Sequence, residues 1–223
     1  MSSSDYRRIA RENLAGNWGN AVLAAFLAVL LGGLVSGSGN FSLEIDAEIL
    51  AELPPIVQTY CMTLFSVGST LSLVHFILGG VIRQGYAVYL LKQHDRRNPE
   101  TRDLFSQFDR FGDGFCLAFF QGLFIFLWTL LFIIPGIIKT YAYAMAPFIM
   151  AEHPELTARE CLKASEDLME GRKSELFFLE LSFIGWGFLN LLTLGIGSFW
   201  LNPYVNAAHA AFYRNISRPQ IEA

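Results

Sequence analysis

The sequence predicts an all-α integral membrane protein, a polytopic transmembrane helix bundle with about six spans and short amphipathic helices on its cytoplasmic side. Hydrophobic residues make up 53% of the 223 residues, and charged residues only 16%, whereas soluble domains carry about 25% charged residues. The mean hydropathy is +0.38. The third observation is that Asp, Glu, Lys and Arg are absent from long stretches of the chain, namely 13–43, 53–82, 114–138, 140–151 and 181–213.

The first half of the chain has two predicted spans. A crossing needs about 20 apolar residues, because the hydrocarbon core is about 30 Å thick and a helix rises about 1.5 Å per residue. The first span is predicted at 18–35, which is rich in Ala and Leu, and the second at 61–82, or continuing to Leu91. A secretory signal peptide is the competing interpretation of the first apolar run, but the seventeen residues before it favour a span.

Two longer apolar stretches predict four further spans. Residues 114–151 are long enough for two crossings, and Pro135-Gly136 is a strong helix-breaking pair that predicts the turn between them. Residues 174–213 predict two more crossings, which are separated near Gly195 and Gly197. The structural alternative is a bundle of four membrane segments. In that bundle, 114–151 and 174–213 each form one re-entrant unit.

The basic residues predict a cell-membrane protein with both termini in the cytoplasm, because basic loops stay on that side. One domain, 1–223, would then have a cytoplasmic tail at 1–17, cytoplasmic loops at 92–113 and 152–173, and an acidic external loop at 36–60. Fourteen of the sixteen basic residues follow this rule. The exceptions are Arg83, inside the second span, and Lys139, which is expected at the outer interface.

Three amphipathic helices are predicted on the inner face, at 6–14, 102–111 and 158–169. Thr157 and Glu160 predict a capping box at the start of the third helix, and Gly171 predicts its end. These helices are either docking sites for protein or lipid partners, or elbows that pack against the bundle.

Ionisable residues inside spans are the candidate functional residues, because burying them in lipid costs about 2.5 to 3.5 kcal/mol on insertion scales. Arg83 and Glu180 are predicted to form an ion pair within the bundle, with His209 and Asn206 as polar neighbours. Such a group would serve as a polar path or binding site for an ion, proton or small solute. The alternatives are a structural ion pair, or an Arg83 side chain that reaches the headgroups.

Several function classes are excluded by what the sequence lacks. The net charge of −4 gives no basic surface for nucleic acid. No catalytic, phosphate-binding or zinc-binding motif is present, so we expect no enzyme activity, no cofactor and no metal. The lipid bilayer is the expected partner, with protein partners possible on the cytoplasmic helices. Oligomeric state is not predicted.

The second half resembles an uncharacterised bacterial membrane family, domain of unknown function 975. The residues that carry the resemblance are Pro135-Gly136-Ile137-Ile138-Lys139, Ser165, Met169, Gly171, Lys173, 181–186, 195–197, Pro203-Tyr204 and Phe212-Tyr213, with Leu14, Asn17 and Trp18 in the first half. The resemblance implies a polytopic membrane protein and supplies no activity. We therefore expect a non-catalytic membrane scaffold or accessory subunit, and the alternative is a transporter or permeation pathway for a small solute, ion or lipid.

Overall fold

The computed structural model describes the backbone of residues 2–32, 55–193 and 195–221, and their side chains except at 55–57, 59–74, 191 and 218–221. All regular secondary structure in this part of the chain is helical, which confirms the predicted all-α class. Most of the predicted acidic loop, including its four carboxylates, lies outside the described residues.

Ten α-helices follow one another in the described residues. They are α1 (Ser3–Leu14), α2 (Trp18–Leu30), α3 (Pro55–His94), α4 (Phe111–Leu131), α5 (Ile133–Ala142), α6 (Ala146–Glu152), α7 (Ala158–Leu168), α8 (Lys173–Leu181), α9 (Ile184–Leu192) and α10 (Ser198–Ile221). Two short 3₁₀ helices, Thr101–Phe105 and Phe108–Arg110, lie between α3 and α4.

The prediction of an amphipathic α-helix over 102–111 is wrong, because this segment forms the two 3₁₀ helices instead. The Asp103 carboxylate accepts a hydrogen bond from the backbone N–H of Glu100 at 3.0 Å and pairs with Lys92 of α3 at 2.7 Å. Leu104 is completely buried. These contacts fix a tight turn against α3 in place of a regular helix.

Charged side chains join α3, α6 and α10 at one end of the fold. Arg214 of α10 pairs with Glu152 at the end of α6 and, at 2.6 Å, with Asp95, which follows α3. The Tyr213 hydroxyl also donates to Glu152, at 2.7 Å. The segments that the basic residues predict to be cytoplasmic are therefore held together at one end.

Helices α1 and α7 bury their apolar faces within the chain. The ring of Tyr6 on α1 lies 5.3 Å from that of Phe212 on α10, and Leu14 is fully buried. On α7, Cys161 and Leu162 are buried. Both predicted helices are thus present, and each packs its apolar face against the other helices of the bundle.

The ends of α7 agree with the sequence prediction. The Thr157 hydroxyl accepts the backbone N–H of Glu160, and the Glu160 carboxylate accepts the N–H of Thr157 at 2.8 Å, which completes the capping box. Gly171 follows the helix with φ of +72°, a conformation that glycine adopts without steric cost.

Helices α4 and α5 form the predicted hairpin, which turns at Phe132, three residues before Pro135-Gly136. Phe132 has extended dihedral angles, φ −155° and ψ 140°, and Pro135 lies in the first turn of α5. A proline is tolerated there because the first amide groups of a helix have no partner within it. A Cβ atom on Gly136 would lie 2.1 Å from Thr129 Oγ1 of α4, so the two helices touch at this glycine.

Six spans are not supported. In the described residues, two segments are long and apolar enough to cross a membrane, Thr101–Leu131 and Ile133–Glu152. A third is added if α1 and α2, which meet at 105°, count as one bent span. The prediction failed at 174–213, because α8 and α9 have nine residues each, about 13 Å of helix, and α10 carries polar side chains.

Large apolar side chains are exposed at the tip of the α4–α5 hairpin and along α2, α9 and the start of α10. At the hairpin tip, residues 130–134 are all Leu, Phe or Ile, and each is 63 to 73% exposed. Contiguous apolar surface of this kind marks contact with a membrane or a partner protein. The fold thus has one charged end and several apolar projections.

Candidate polar cavity

A cavity of about 590 Å³ lies between α3, α4, α5, α8 and α10. All four residues that the sequence selects, Arg83, Glu180, His209 and Asn206, are in its wall. They come from three different helices, so the fold brings together side chains that are up to 126 positions apart in the sequence.

Arg83 is the one exposed residue in the buried stretch 79–87 of α3. Its neighbours on either side, Ile82 and Gln84, are buried against the surrounding helices. The exposed side chain of Arg83 lines the cavity. Among the residues that the structure describes, none forms a hydrogen bond or ion pair with its guanidinium.

Glu180 has partners from α5 and α10, and the predicted Arg83–Glu180 ion pair is absent. The Tyr141 hydroxyl donates to Glu180 Oε2 at 2.6 Å, and His209 Nε2 lies 3.5 Å from Oε1. The prediction considered Arg83, His209 and Asn206 as the neighbours of Glu180, and therefore missed the tyrosine that donates to the carboxylate.

Three polar residues of α10 form a stripe along the cavity wall. Asn202, Asn206 and His209 line the cavity, and their spacing of four and three residues places them on one helix face. The Asn206 side-chain amide donates to the backbone oxygen of Asn202 at 2.7 Å. Sequence reasoning missed Asn202, although this spacing would have identified it.

The remaining wall is mostly aromatic and apolar. The cavity is lined by five phenylalanines, namely Phe76 of α3, Phe115 and Phe119 of α4, Phe148 of α6, and Phe183. Gln121 also contributes to the wall, and its amide donates to the backbone oxygen of Tyr143 at 3.2 Å. The cavity thus offers a few polar groups within a largely aromatic surface, as ligand sites commonly do.

Lys139, which the sequence predicts at the outer interface, has partners within the fold, and its position relative to a membrane stays a prediction. Its ammonium group pairs with Glu166 of α7 at 2.5 Å and lies 5.4 Å from the centre of the Trp128 ring. Helix α7 is one of the elbows predicted on the cytoplasmic side. Lys139 is therefore neutralised within the fold, in contrast to Arg83.

Other chemistry is limited in the part of the chain that the structure describes. No group of three or more His, Cys, Asp or Glu side chains there has the geometry to hold a metal ion. Burial raises the pKa of the Cys161 thiol to about 11, so this cysteine is protonated at neutral pH and is a poor nucleophile.

Comparison with known proteins identifies a family and nothing more specific. A family model described as "Protein of unknown function (DUF975)" matches residues 1–140 and 130–220, which together span nearly the whole chain. No curated protein and no solved structure matches.

Proposed function

The chain belongs to this family of unknown function, DUF975, and from its geometry we propose that it is a cell-membrane protein whose cavity binds a small solute and forms part of that solute's path across the bilayer. One observation carries the proposal. Arg83, Glu180, His209 and Asn206 meet at a single cavity, and Arg83 has no partner among the described residues. Polar groups inside membrane segments typically mark substrate or ion pathways.

Membrane insertion is supported by the exposed apolar surfaces and by the gathering of basic segments at one end. Helix α3 has 40 residues, about 60 Å of helix, which is ample for a crossing that continues beyond the membrane. We place the charged end, with Asp95, Glu152 and Arg214, and both termini on the cytoplasmic side.

The scaffold function that the sequence favoured has less support from the geometry. It predicted that partner proteins dock on the segments 6–14, 102–111 and 158–169. Phe105 and Phe108 in 102–111 are exposed, but the other two segments form α1 and α7. The apolar faces of both helices are buried against other helices of the same chain, as shown by Tyr6 and Leu14 on α1 and by Cys161 and Leu162 on α7. The cavity, by contrast, presents polar groups to open space, which favours permeation.

The proposal is tested by reconstituting the purified protein in phosphatidylcholine liposomes and following their volume by stopped-flow light scattering. Liposomes that contain valinomycin are challenged with hyperosmotic potassium acetate, potassium lactate, potassium phosphate, potassium chloride or glycerol, so that K⁺ accompanies any anion that crosses. We expect re-swelling faster than in protein-free liposomes for at least one solute. Equal rates with and without protein for the entire panel would contradict the proposal.

Variants connect any flux to the cavity. Glu180→Gln keeps an oxygen to accept the Tyr141 hydroxyl but removes the charge beside His209, and we expect it to reduce a charge-dependent flux at least tenfold. Arg97→Gln is the matched control, since Arg97 is 76% exposed in the loop after α3 and does not line the cavity. An equal effect of the two variants would rule out the cavity as the path.

A further inference from the structure

The cavity wall contains the Arg83 guanidinium, which has no hydrogen-bond or ion-pair partner among the described residues. Glu180 is the acidic residue in the wall, and it already accepts from Tyr141 at 2.6 Å and faces His209 at 3.5 Å. The Arg83 guanidinium lines the cavity and has five N–H donors, and none of the described residues accepts from them. A guanidinium without a protein partner in a largely aromatic wall is available to bind an anion.

The comparison with Lys139 shows that the chain does neutralise a cation in an equivalent sequence context. Gly80-Val81-Ile82-Arg83 on α3 and Gly136-Ile137-Ile138-Lys139 on α5 have the same pattern. Lys139 pairs with Glu166 at 2.5 Å, whereas Arg83 faces the cavity. The two cations differ in what lies beside them. Helix α7 supplies the Glu166 carboxylate to Lys139, whereas Arg83 lies next to the open cavity.

His209 lies in the same wall, but its Nε2 atom faces Glu180 Oε1 at 3.5 Å and is inaccessible to solvent. Arg83 is therefore the cationic group that the wall offers to a ligand. The aromatic walls around these polar atoms, which include Phe115, Phe119 and Phe183, are suited to an apolar body. The volume of about 590 Å³ falls within the usual range of organic-ligand sites, roughly 300–1,000 Å³.

We infer that the cavity binds an organic anion, a carboxylate or phosphate attached to an apolar or aromatic body, with its oxygen atoms on the Arg83 guanidinium. The planar fork of arginine matches the two oxygens of a carboxylate or phosphate. This inference rests on the cavity of the proposed function and names the chemical class of its ligand. The same oxyanion has two sources, a water-soluble organic acid or the headgroup of an anionic phospholipid.

Equilibrium binding tests the inference independently of transport. For the soluble source, the protein in neutral detergent is titrated calorimetrically with phenylacetate and with phenylacetamide, its uncharged analogue. For the lipid source, native mass spectrometry compares retained phosphatidylglycerol with phosphatidylcholine. We expect phenylacetate, phosphatidylglycerol or both to bind at least tenfold more tightly than the neutral counterpart.

The variants separate a specific site from general attraction of anions. Arg83→Gln is expected to weaken binding of the anion at least tenfold, and Arg83→Lys to restore part of it, since lysine keeps the charge but not the fork. Lys139→Gln is the matched control, because it removes a cation from the same sequence pattern outside the cavity. Binding that is unchanged in Arg83→Gln would overturn the inference.

A measurement on the unmodified protein keeps the test valid if the Arg83 variants fail to fold. Phenylglyoxal modifies accessible arginines, and peptide mass spectrometry gives the rate at each position. The anion that binds is expected to slow modification of Arg83 at least fivefold while Arg97 reacts at the same rate. Equal binding of the anionic and neutral probes, or no protection of Arg83, would show the inference to be wrong.

The results also distinguish this inference from the proposed function. Arg83-dependent anion binding without faster re-swelling of liposomes would retain the anion site and reject the permeation path. Faster re-swelling that requires Glu180, together with no anion binding, would retain the path and reject the ligand class.

Discussion

At the scale of single residues, Ser165 joins α7 to the turn between α5 and α6. Its hydroxyl donates to the backbone oxygen of Ala142 at 2.7 Å and accepts the backbone N–H of Met145 at 3.2 Å. The side chain is completely buried. One hydroxyl thus satisfies two backbone groups of a turn from which water is excluded.

Ser165→Ala is expected to lower stability by about 1–3 kcal/mol, because it leaves a buried acceptor and a buried donor without partners. The measurement is the free energy of unfolding in a fixed detergent, followed by circular dichroism. Ser4→Ala is the control, since Ser4 is exposed and its hydroxyl shares a surface hydrogen bond with the hydroxyl of Ser2. A Ser165→Ala variant as stable as the Ser4→Ala variant would contradict the prediction.

The residues of the cavity illustrate what a sequence predicts about a site. Arg83, Glu180, His209 and Asn206 were identified because ionisable and amide groups within apolar stretches are costly, a property of each residue in its own segment. The partner of each group depends on which helix packs beside it. Tyr141 therefore satisfies Glu180, and Glu166 satisfies Lys139, neither of which the spacing along the chain indicates.

At the scale of elements, signals within a few residues predicted the helix ends well. The Thr157–Glu160 capping box and Gly171 mark the ends of α7 because they act through local hydrogen bonds and backbone dihedral angles. Long apolar stretches were less informative, since the absence of charge does not specify where a helix turns. Residues 174–213 therefore predicted two spans, but they contain α8, α9 and most of α10.

The α4–α5 hairpin depends on the contact between Gly136 and Thr129. Because a Cβ at Gly136 would lie 2.1 Å from Thr129 Oγ1 and 2.8 Å from the Thr129 Cα, a side-chain rotation alone does not make room for it. Gly136→Ala is expected to destabilise the protein by about 1–3 kcal/mol through overpacking.

The measurement is again the free energy of unfolding in detergent, with Gly122→Ala as the control. Gly122 also lies on α4, and a Cβ there would meet no atom within 4 Å. That change is expected to be neutral or stabilising, because alanine favours helix more than glycine does. Equal effects of the two substitutions would show that the hairpin helices are not in close contact at Gly136.

At the scale of the whole molecule, the charged side chains of α7 lie beside the α4–α5 hairpin and would limit how deeply it enters a bilayer. The Arg159 guanidinium lies 4.8 Å from the centre of the Phe120 ring of α4, and Glu166 binds Lys139 of α5. A shallow pocket between α4 and α7 is lined by Phe124 together with Arg159 and Glu166. The charges of α7 therefore reach about two thirds of the way along α4.

Only the last turn at the hairpin tip is free of charge, because the Lys139 ammonium lies 5.4 Å from the centre of the Trp128 ring. From Trp128 to Leu131 the hairpin extends about 5 Å, much less than the hydrocarbon thickness of about 30 Å. Residues 130–134 at the tip are all apolar and 63 to 73% exposed, whereas a loop that emerges into water is expected to carry polar residues. These features favour the re-entrant alternative over two full crossings, although α4 is long enough for one.

We therefore expect the hairpin tip to lie within the bilayer and to be inaccessible from both aqueous sides. In a variant with Cys61, Cys116 and Cys161 changed to Ala, Leu131→Cys is treated with a membrane-impermeant maleimide in intact expressing cells and in broken membranes. It is expected to react only after detergent is added. Arg97→Cys, at the charged end, is the control and is expected to react in broken membranes but not in intact cells. Labelling of Leu131→Cys in intact cells would show that the hairpin crosses completely, and labelling in broken membranes alone would show that the tip never enters the lipid.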